Sequence, residues 1–273
     1  MFKKMLFLLQ CLLFCWATPL VGAETWEIPG TGACEVILKQ LAAAFMAQNP
    51  GQEVLVPPSI GSKGGLRLVG GDQALMGRVS RPLNAEEQAY GLRYLIFARD
   101  AVIFAVGARV AIQSLTANQI TDIFSGKITN WQEVGGNPGI IRVLVREPGD
   151  SSLLVIQQHL EPFRTLTFTP EGKMAYRDDE MLEMLEKYKN AIGFITNNSL
   201  GGTKTGVKPV ALDHIRPTPA NLQAGRYKLV CDCALVFKEK RLNDPARKFL
   251  DFIFSEAGKA ILVKNGLIPT TRK

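Results

Sequence analysis

Residues 115–136, LTANQITDIFSGKITNWQEVGG, and the run that follows, 137–146 NPGIIRVLVR, decide the fold. Thr116 is a residue type that caps helices. Behind it Ile120, Ile123 and Phe124 recur at helical spacing. The spacing predicts a helix over Thr116–Ser125. Gly135-Gly136-Asn137-Pro138 is a turn signal, and Ile140–Arg146 reads as a strand rich in β-branched residues. Helix, turn and strand in succession make one α/β unit.

The same alternation extends in both directions. Helical patterns are predicted at Cys34–Gln48, Leu66–Val69, Asn84–Ala89, Ser151–His159, Asp178–Lys187 and Pro245–Asn265. Strand-like runs fall at Glu53–Pro57, Leu92–Ala98, Ala101–Ala105, Ala191–Ile195, Val207–Ala211 and Leu229–Phe237. Pro245 opens the last helix at a position where proline is tolerated. There is no internal repeat and no low-complexity segment. The fold class expected is α/β.

Residues 1–23, MFKKMLFLLQCLLFCWATPLVGA, have the form of a cleaved signal peptide: Lys3 and Lys4, an apolar run, then small residues ending at Ala23. The run is shorter than the roughly 20 residues a spanning helix needs. A lipoprotein reading of Cys15 meets bulky Phe14 where a small residue is expected. Export to the periplasm is therefore the expectation, with a mature chain of 250 residues (273 less 23). Cleavage removes two lysines and no acid, taking the net charge from +7 to +5. Such an excess favours anionic partners. It is dispersed, with no basic run and no basic-aromatic interleaving, so nucleic acid is excluded.

Cys34, Cys231 and Cys233 remain after cleavage, an odd number. Cys231 and Cys233 share one face of a strand, where a bridge between them would be strained. They read as buried small apolar residues. His159 and His214 are not in ligand spacing with them, so no metal and no cofactor is expected.

Four loops share one chemistry. They are Gly30-Thr31-Gly32-Ala33-Cys34, Gly61-Ser62-Lys63-Gly64-Gly65, Val79-Ser80-Arg81-Pro82 and Arg146-Glu147-Pro148-Gly149-Asp150-Ser151-Ser152. Each offers glycines or hydroxyls beside a predicted helix start, where unpaired amides and a partial positive charge receive anions. Arginine adds a forked, permanently charged donor set. One such loop is commonly no more than a cap. Four of them, leading into separate α/β units, would converge beyond the carboxyl ends of the strands. None has the GxxxxGK[ST] order of a nucleotide-binding loop.

These stretches together resemble the phosphate-binding proteins of bacterial phosphate ABC transporters, over essentially the whole mature chain. The I-F-S-G-K-I-x-N-W core within 115–136 is the most specific part. GTGACEVILKQLAAAFMAQNPG, GSKGGLRLVGGDQALMGRVSRPL, REPGDSS, IGFITNNSL, RPTPANLQAGRYKL and PARKFLDFIFSEAGKAILVKNGLIP follow the family's order. The resemblance implies a two-lobed periplasmic-binding-protein fold of type II, with the ligand cleft between lobes. It places one lobe at 24–98 plus 213–273 and the other at 99–212. The chain would cross near Phe97–Ala101 and Val210–Asp213.

It also implies a binding set: Thr31, Ala33, Cys34, Ser62, Lys63, Ser80, Arg81, Arg146, Asp150, Ser151 and Ser152. Two positions depart from the pattern. Ala33 stands where the family has a hydroxyl, leaving the amides of Ala33 and Cys34. Asp150 stands where the family has serine. A carboxylate about 4 Å from an anion would cost roughly 4 kcal/mol per charge pair at an effective dielectric near 20. Asp150 either caps the helix that starts at Ser151, or accepts a hydrogen bond from a protonated oxyanion, or marks a changed ligand. Lys63 either offsets that charge or is a solvated surface lysine. Arg81 either contacts the ligand or forms an ion pair within its lobe.

The function implied is capture of phosphate, or a similar small oxyanion, by lobe closure. Delivery would be to the membrane permease of an ABC transporter, by a monomer. An oxyanion sensor or a binder of another anion is the alternative, motivated by Ala33 and Asp150. An enzyme is not expected: Asp150 beside Ser151 and Ser152 is the only suggestive feature, with no nearby histidine and no metal cluster.

Overall fold

The computed structural model describes residues 24–201 and 206–272. The signal expected at 1–23, with Cys11 and Cys15, lies outside the described residues. The chain opens with β1 (Glu24–Glu27), α1 (Glu35–Gln48), β2 (Gln52–Leu55), α2 (Gly61–Gly70), β3 (Met76–Val79), α3 (Ala85–Gln88) and β4 (Arg93–Val106). The middle comprises β5 (Ser114–Leu115), α4 (Ala117–Ser125), β6 (Arg142–Arg146), α5 (Ser151–His159), β7 (Lys173–Ala175), α6 (Asp178–Lys187), β8 (Ala191–Thr196) and α7 (Asn197–Leu200). It closes with β9 (Lys208–Leu212), α8 (Pro219–Gln223), β10 (Val230–Phe237), α9 (Asp244–Phe254), α10 (Glu256–Lys264) and β11 (Ile268–Pro269).

The stretch at 115–136 carries its own start and stop signals. Thr116 Oγ1 accepts from the Gln119 amide, and the Gln119 side chain accepts from the Thr116 amide, a capping box. Gly126 ends α4 at φ 82°, a conformation that favours glycine. Asn130 and Glu133 form a second capping box under Trp131. Buried Trp131 donates its ring N–H to the Asn190 carbonyl at 3.0 Å. Phe124 sits among Phe104, Phe163, Phe168 and Phe194, with ring centroids 5.5 to 6.2 Å apart.

β4 organises the sheet. The sequence predicts two strands there, at 92–98 and 101–105. One 14-residue strand runs through instead, because Arg99 and Asp100 keep extended pairing with β10. Its first part, from Arg93 to Ala101, pairs antiparallel with β10, and its last, from Val102 to Val106, with β8. β10 passes the sheet on to β3. β8 passes it on to β6, and β6 to β7, both parallel.

Two large apolar cores hang on this strand. One gathers Trp26, Ile37, Phe45, Phe97, Ala98, Cys233 and Phe249. The other gathers Ala101, Phe104, Phe124, Phe194, Tyr227, Leu229 and Cys231. Membership changes between Ala98 and Ala101 on β4 and between Cys231 and Cys233 on β10. Residues 213–231 were expected with the first core, but Leu222, Tyr227 and Leu229 pack into the second, and buried Tyr227 donates to the Val102 carbonyl at 2.8 Å.

Three other departures from the sequence reading have local causes. The helix expected over Pro245–Asn265 breaks at Ser255, whose hydroxyl donates to Phe252 O and accepts from Gly258 N. A Cβ at Gly258 would lie 2.3 Å from Phe252 O, so the corner needs glycine. Gly61–Gly65, expected as a loop, is the first turn of α2. The short strands β1, β3 and β7 lie at or below the shortest length at which alternation is readable. The three described cysteines are free and buried. Among the described residues no helix is long and apolar enough to cross a membrane.

Candidate functional site

A cavity of about 820 Å³ opens where β3 and β6 end and α2 and α5 begin. Thr31 and Gly32, the segments 59–63 and 81–84, and the segment 146–151 form its wall. Both sides of the molecule contribute: α2 packs on the β3–β10 end of the sheet and α5 on the other core.

The first loop is fixed from below by Arg78. This fully buried side chain donates from Nε to Thr31 O at 2.7 Å, from Nη1 to Ile28 O and from Nη2 to Pro57 O at 2.7 Å. Glu35 stands 3.2 Å from Nη2. Burial pulls the guanidinium below its ordinary pKa, and Glu35 opposes the shift. Gly30 is held at φ 144°, and a Cβ there would overlap Arg78 O at 1.9 Å. Thr31 Oγ1 accepts from the Ala33 amide at 3.4 Å.

Ile60, at the N-cap of α2, has no side-chain acceptor; Ser59 Oγ accepts from the Gly61 amide at 3.3 Å, and the amides that follow it in the first turn face the cavity. Ser62 Oγ lies 2.9 Å from Ser151 Oγ, so the starts of α2 and α5 touch. It also accepts from the Ser80 amide at 3.3 Å. Arg81 is engaged by Glu87 through two hydrogen bonds, at 2.7 and 2.6 Å. Those bonds raise the Arg81 pKa against burial and hold Glu87 below the usual carboxylate range. Lys63 is exposed on the cavity wall, with no carboxylate at ion-pair distance among the described residues.

Arg146, the last residue of β6, is buried among three carboxylates. Asp178 Oδ1 is 2.7 Å from Nη1, Asp150 Oδ2 2.8 Å from Nη2, and Glu147 Oε2 3.4 Å from Nε. Burial works against its charge, but Asp178 and Asp150 outweigh burial and make it more basic than a free arginine. Asp150 does two jobs. Its Oδ1 accepts from the Leu153 amide at 2.9 Å, capping α5, while Oδ2 meets Arg146. Burial pushes its pKa up to about 6, Arg146 opposes this, and Asp178 adds to it.

Behind this cluster lies a polar layer that the sequence did not disclose. Asp178 Oδ2 accepts from Ser199 Oγ at 2.9 Å and Thr196 Oγ1 at 3.1 Å. Asn198 Nδ2 donates to Ala33 O at 2.8 Å and to Asp100 Oδ2 at 2.6 Å. Asp100 sits where β4 passes between the cores. Burial pushes its pKa up to about 6, against hydrogen bonds from Asn198 and the Ala101 amide.

Of the residues expected at the site, Thr31, Ser62, Lys63, Arg81, Arg146, Asp150 and Ser151 line the cavity. Ala33, Cys34, Ser80 and Ser152 are buried and lie outside its lining. Cys34 Sγ instead meets Ser80 Oγ at 3.2 Å. Arg78, Asp100, Asp178 and Asn198 were not anticipated. Only a charged residue inside a short apolar strand, Arg78 in MGRV, gave any signal. In chemical terms the site presents two helix starts, hydroxyls and a mobile-length lysine to an anion, with its buried arginine already paired.

The chain is similar to the phosphate-binding protein PstS of Bacillus subtilis, 24% identical over 252 residues that cover 89% of this chain and 80% of the relative. It is 25% identical to PstS of Borreliella burgdorferi over 198 residues, 69% of this chain and 70% of that protein. Its structure resembles the phosphate-bound crystal structure of a substrate-binding protein assigned to phosphate ABC transport in Clostridium perfringens. That TM-score is 0.80 at 28% identity, covering 91% of this chain and 100% of the other. A phosphate transport receptor from Vibrio cholerae matches with a TM-score of 0.67 at 25% identity, over 90% and 100% of the two chains. The family profile of the PBP superfamily domain matches residues 21–257, and the chain therefore belongs to the PBP superfamily.

Proposed function

We propose that the protein is an extracytoplasmic solute-binding protein that captures inorganic phosphate between two lobes and delivers it to the permease of an ABC transporter. The observation that carries this reading is the meeting of α2 and α5. Two helix N-termini, one from each side of the molecule, face one cavity with Ser62 and Ser151 hydroxyls 2.9 Å apart. Such a pair supplies neutral amide and hydroxyl donors on both sides of a compact oxyanion. The relatives named for phosphate binding and transport support the choice of ligand.

The lobes we assign are the two apolar cores with the elements around them, dividing at Arg99–Asp100 on β4 and at Asp232 on β10. Closure would be driven by ligand contacts that exist only when both helix starts are together. Thr31, Ser62, Lys63 and Ser151 would contact the anion. Arg146 would hold the local geometry from within its carboxylate cluster, and Arg81 would do so through Glu87. Ala33, Cys34, Ser80 and Ser152 would act through backbone and packing. Asp150 would serve as cap of α5 and ion-pair partner of Arg146, with its carboxylate charge opposing the anion. Binding would need no covalent step.

Calorimetric titration of the purified mature protein with phosphate, sulfate, arsenate and a phosphate monoester tests the proposal. Phosphate binding at micromolar concentration or tighter, without turnover, is expected. Folded protein that ignores phosphate would overturn it, and preference for another anion would favour the sensor or changed-ligand alternative.

A further inference from the structure

The lobe built on the core of Phe104, Phe124 and Phe194 carries a second groove, about 810 Å³, at the opposite ends of its strands. β6 starts there at Arg142 and ends at the anion cavity with Arg146, roughly 13 Å away at about 3.3 Å per residue. The groove is basic. Arg109, Arg142, Lys187 and Lys189 line it, and all four are exposed. Around Tyr188, Arg142 stands 4.5 Å from the ring centroid, Lys187 5.5 Å and Lys173 5.4 Å. None of these five cations has a carboxylate at ion-pair distance among the described residues. Glu171 is the acid on the lining. The floor is fixed by backbone: Asn190 O accepts from the Trp131 ring and from Arg142 N, and Lys189 O accepts from Arg109 N. At the lip Ile140 is 78% exposed.

We propose that this groove docks an acidic, extended peptide segment of a partner protein, with one apolar side chain of that segment seated on Ile140. Three cations gathered on one ring repel one another, and an anionic occupant removes that repulsion. Arg109 and Lys189 add two further cations to the groove beside the three at Tyr188. The helix ends that face it are the C-termini of α4 and α6, which offer carbonyls and not amides. Both features suit several carboxylates in a row better than one compact oxyanion. The concave shape and single exposed apolar side chain suit an extended chain better than a flat bilayer. The surface is independent of the anion cavity, so this inference does not rest on the phosphate reading.

The test is fluorescence anisotropy with a labelled pentapeptide bearing four acidic residues around one leucine. Saturable binding is expected, weakened by at least about tenfold in Arg142→Glu/Lys187→Glu and by severalfold in Ile140→Ser. Glu171→Gln should tighten binding, an effect that loss of fold cannot mimic. Phosphate titrations should be unchanged in all these variants. Absence of saturable binding, equal binding by wild type and the charge-reversed variant, or stronger attachment to phosphatidylglycerol vesicles than to the peptide would each overturn the proposal.

Discussion

Asp178 Oδ1 stands 2.7 Å from Arg146 Nη1, while its second oxygen accepts from the hydroxyls of Ser199 and Thr196. The carboxylate therefore ties the end of β6 to the junction of β8 and α7. Asp178→Ala would leave Arg146 with one close carboxylate fewer and remove the shared acceptor of two buried hydroxyls, which would keep their bond to each other. Removing one partner of a buried pair costs about 3–5 kcal/mol. Asp178→Asn keeps acceptor capacity and should cost about half as much. Urea unfolding of the three proteins checks the ranking.

Asp150 gives a pH prediction with a definite sign. Its pKa is pushed up to about 6, so it is ionised above that pH and largely protonated at pH 5. Asp150→Asn keeps an oxygen for the Leu153 amide but carries no charge. At pH 8 the variant should bind phosphate more tightly than wild type, by about fivefold or more for one repulsion relieved. At pH 5 the two affinities should converge. Comparing both proteins at each pH cancels the titration of the ligand itself. A ratio independent of pH would show that Asp150 serves only as cap and ion-pair partner.

Arg78 is expected to behave as a structural residue with a functional consequence. Arg78→Met fills similar space but leaves Ile28 O, Thr31 O and Pro57 O without their donor. Unpaired buried groups cost about 1–3 kcal/mol each. Global stability should fall by several kcal/mol, and amide exchange at residues 31–34 should accelerate more than exchange in α1. Phosphate affinity should fall with the loss of order in that loop.

Lys63 separates electrostatic from hydrogen-bonded recognition. Its ammonium is exposed beside the cavity, with no carboxylate at ion-pair distance among the described residues. Lys63→Gln should weaken phosphate binding by roughly three- to tenfold in dilute buffer. The difference should shrink in salt, where the Debye length falls to about 3 Å at 1 M. Titrations at two ionic strengths measure it.

The residues legible in sequence were those whose neighbours lie close along the chain. Thr116, Gln119 and Gly126 write α4 within eleven positions, and the glycine-hydroxyl loops mark two helix starts that do line the cavity. The partners of Arg146 were only partly legible. Asp150 is four residues away, with capping one of the three roles its position leaves open, but Asp178 comes from another helix and looks like an ordinary first-turn acid. The course of β10 was hidden for the same reason. Cys231 and Cys233 lie on one strand face, yet they belong to different cores, and only tertiary packing decides that. Lys63 was legible as a residue but not as a role, because its solvent exposure depends on where α2 begins.

The contact between Ser62 and Ser151 yields the most direct test of closure. The two hydroxyls come from helices on opposite sides of the cavity. Their other commitments differ: Ser62 Oγ also accepts from the Ser80 amide, which would be left without that acceptor in Ser62→Ala. Ser62→Ala should therefore destabilise by about 1–3 kcal/mol, and Ser151→Ala by about 0.5–1.5 kcal/mol. In a double-mutant cycle the pair should show a coupling of about 0.5 kcal/mol or more. If phosphate takes up both hydroxyls on binding, each alanine variant should also lose roughly tenfold in affinity, and the double variant less than a hundredfold. Additive stability effects would mean that the two helix starts are not held together in solution. In that case the hydroxyls would meet only around the ligand, and the coupling should reappear in the affinities alone.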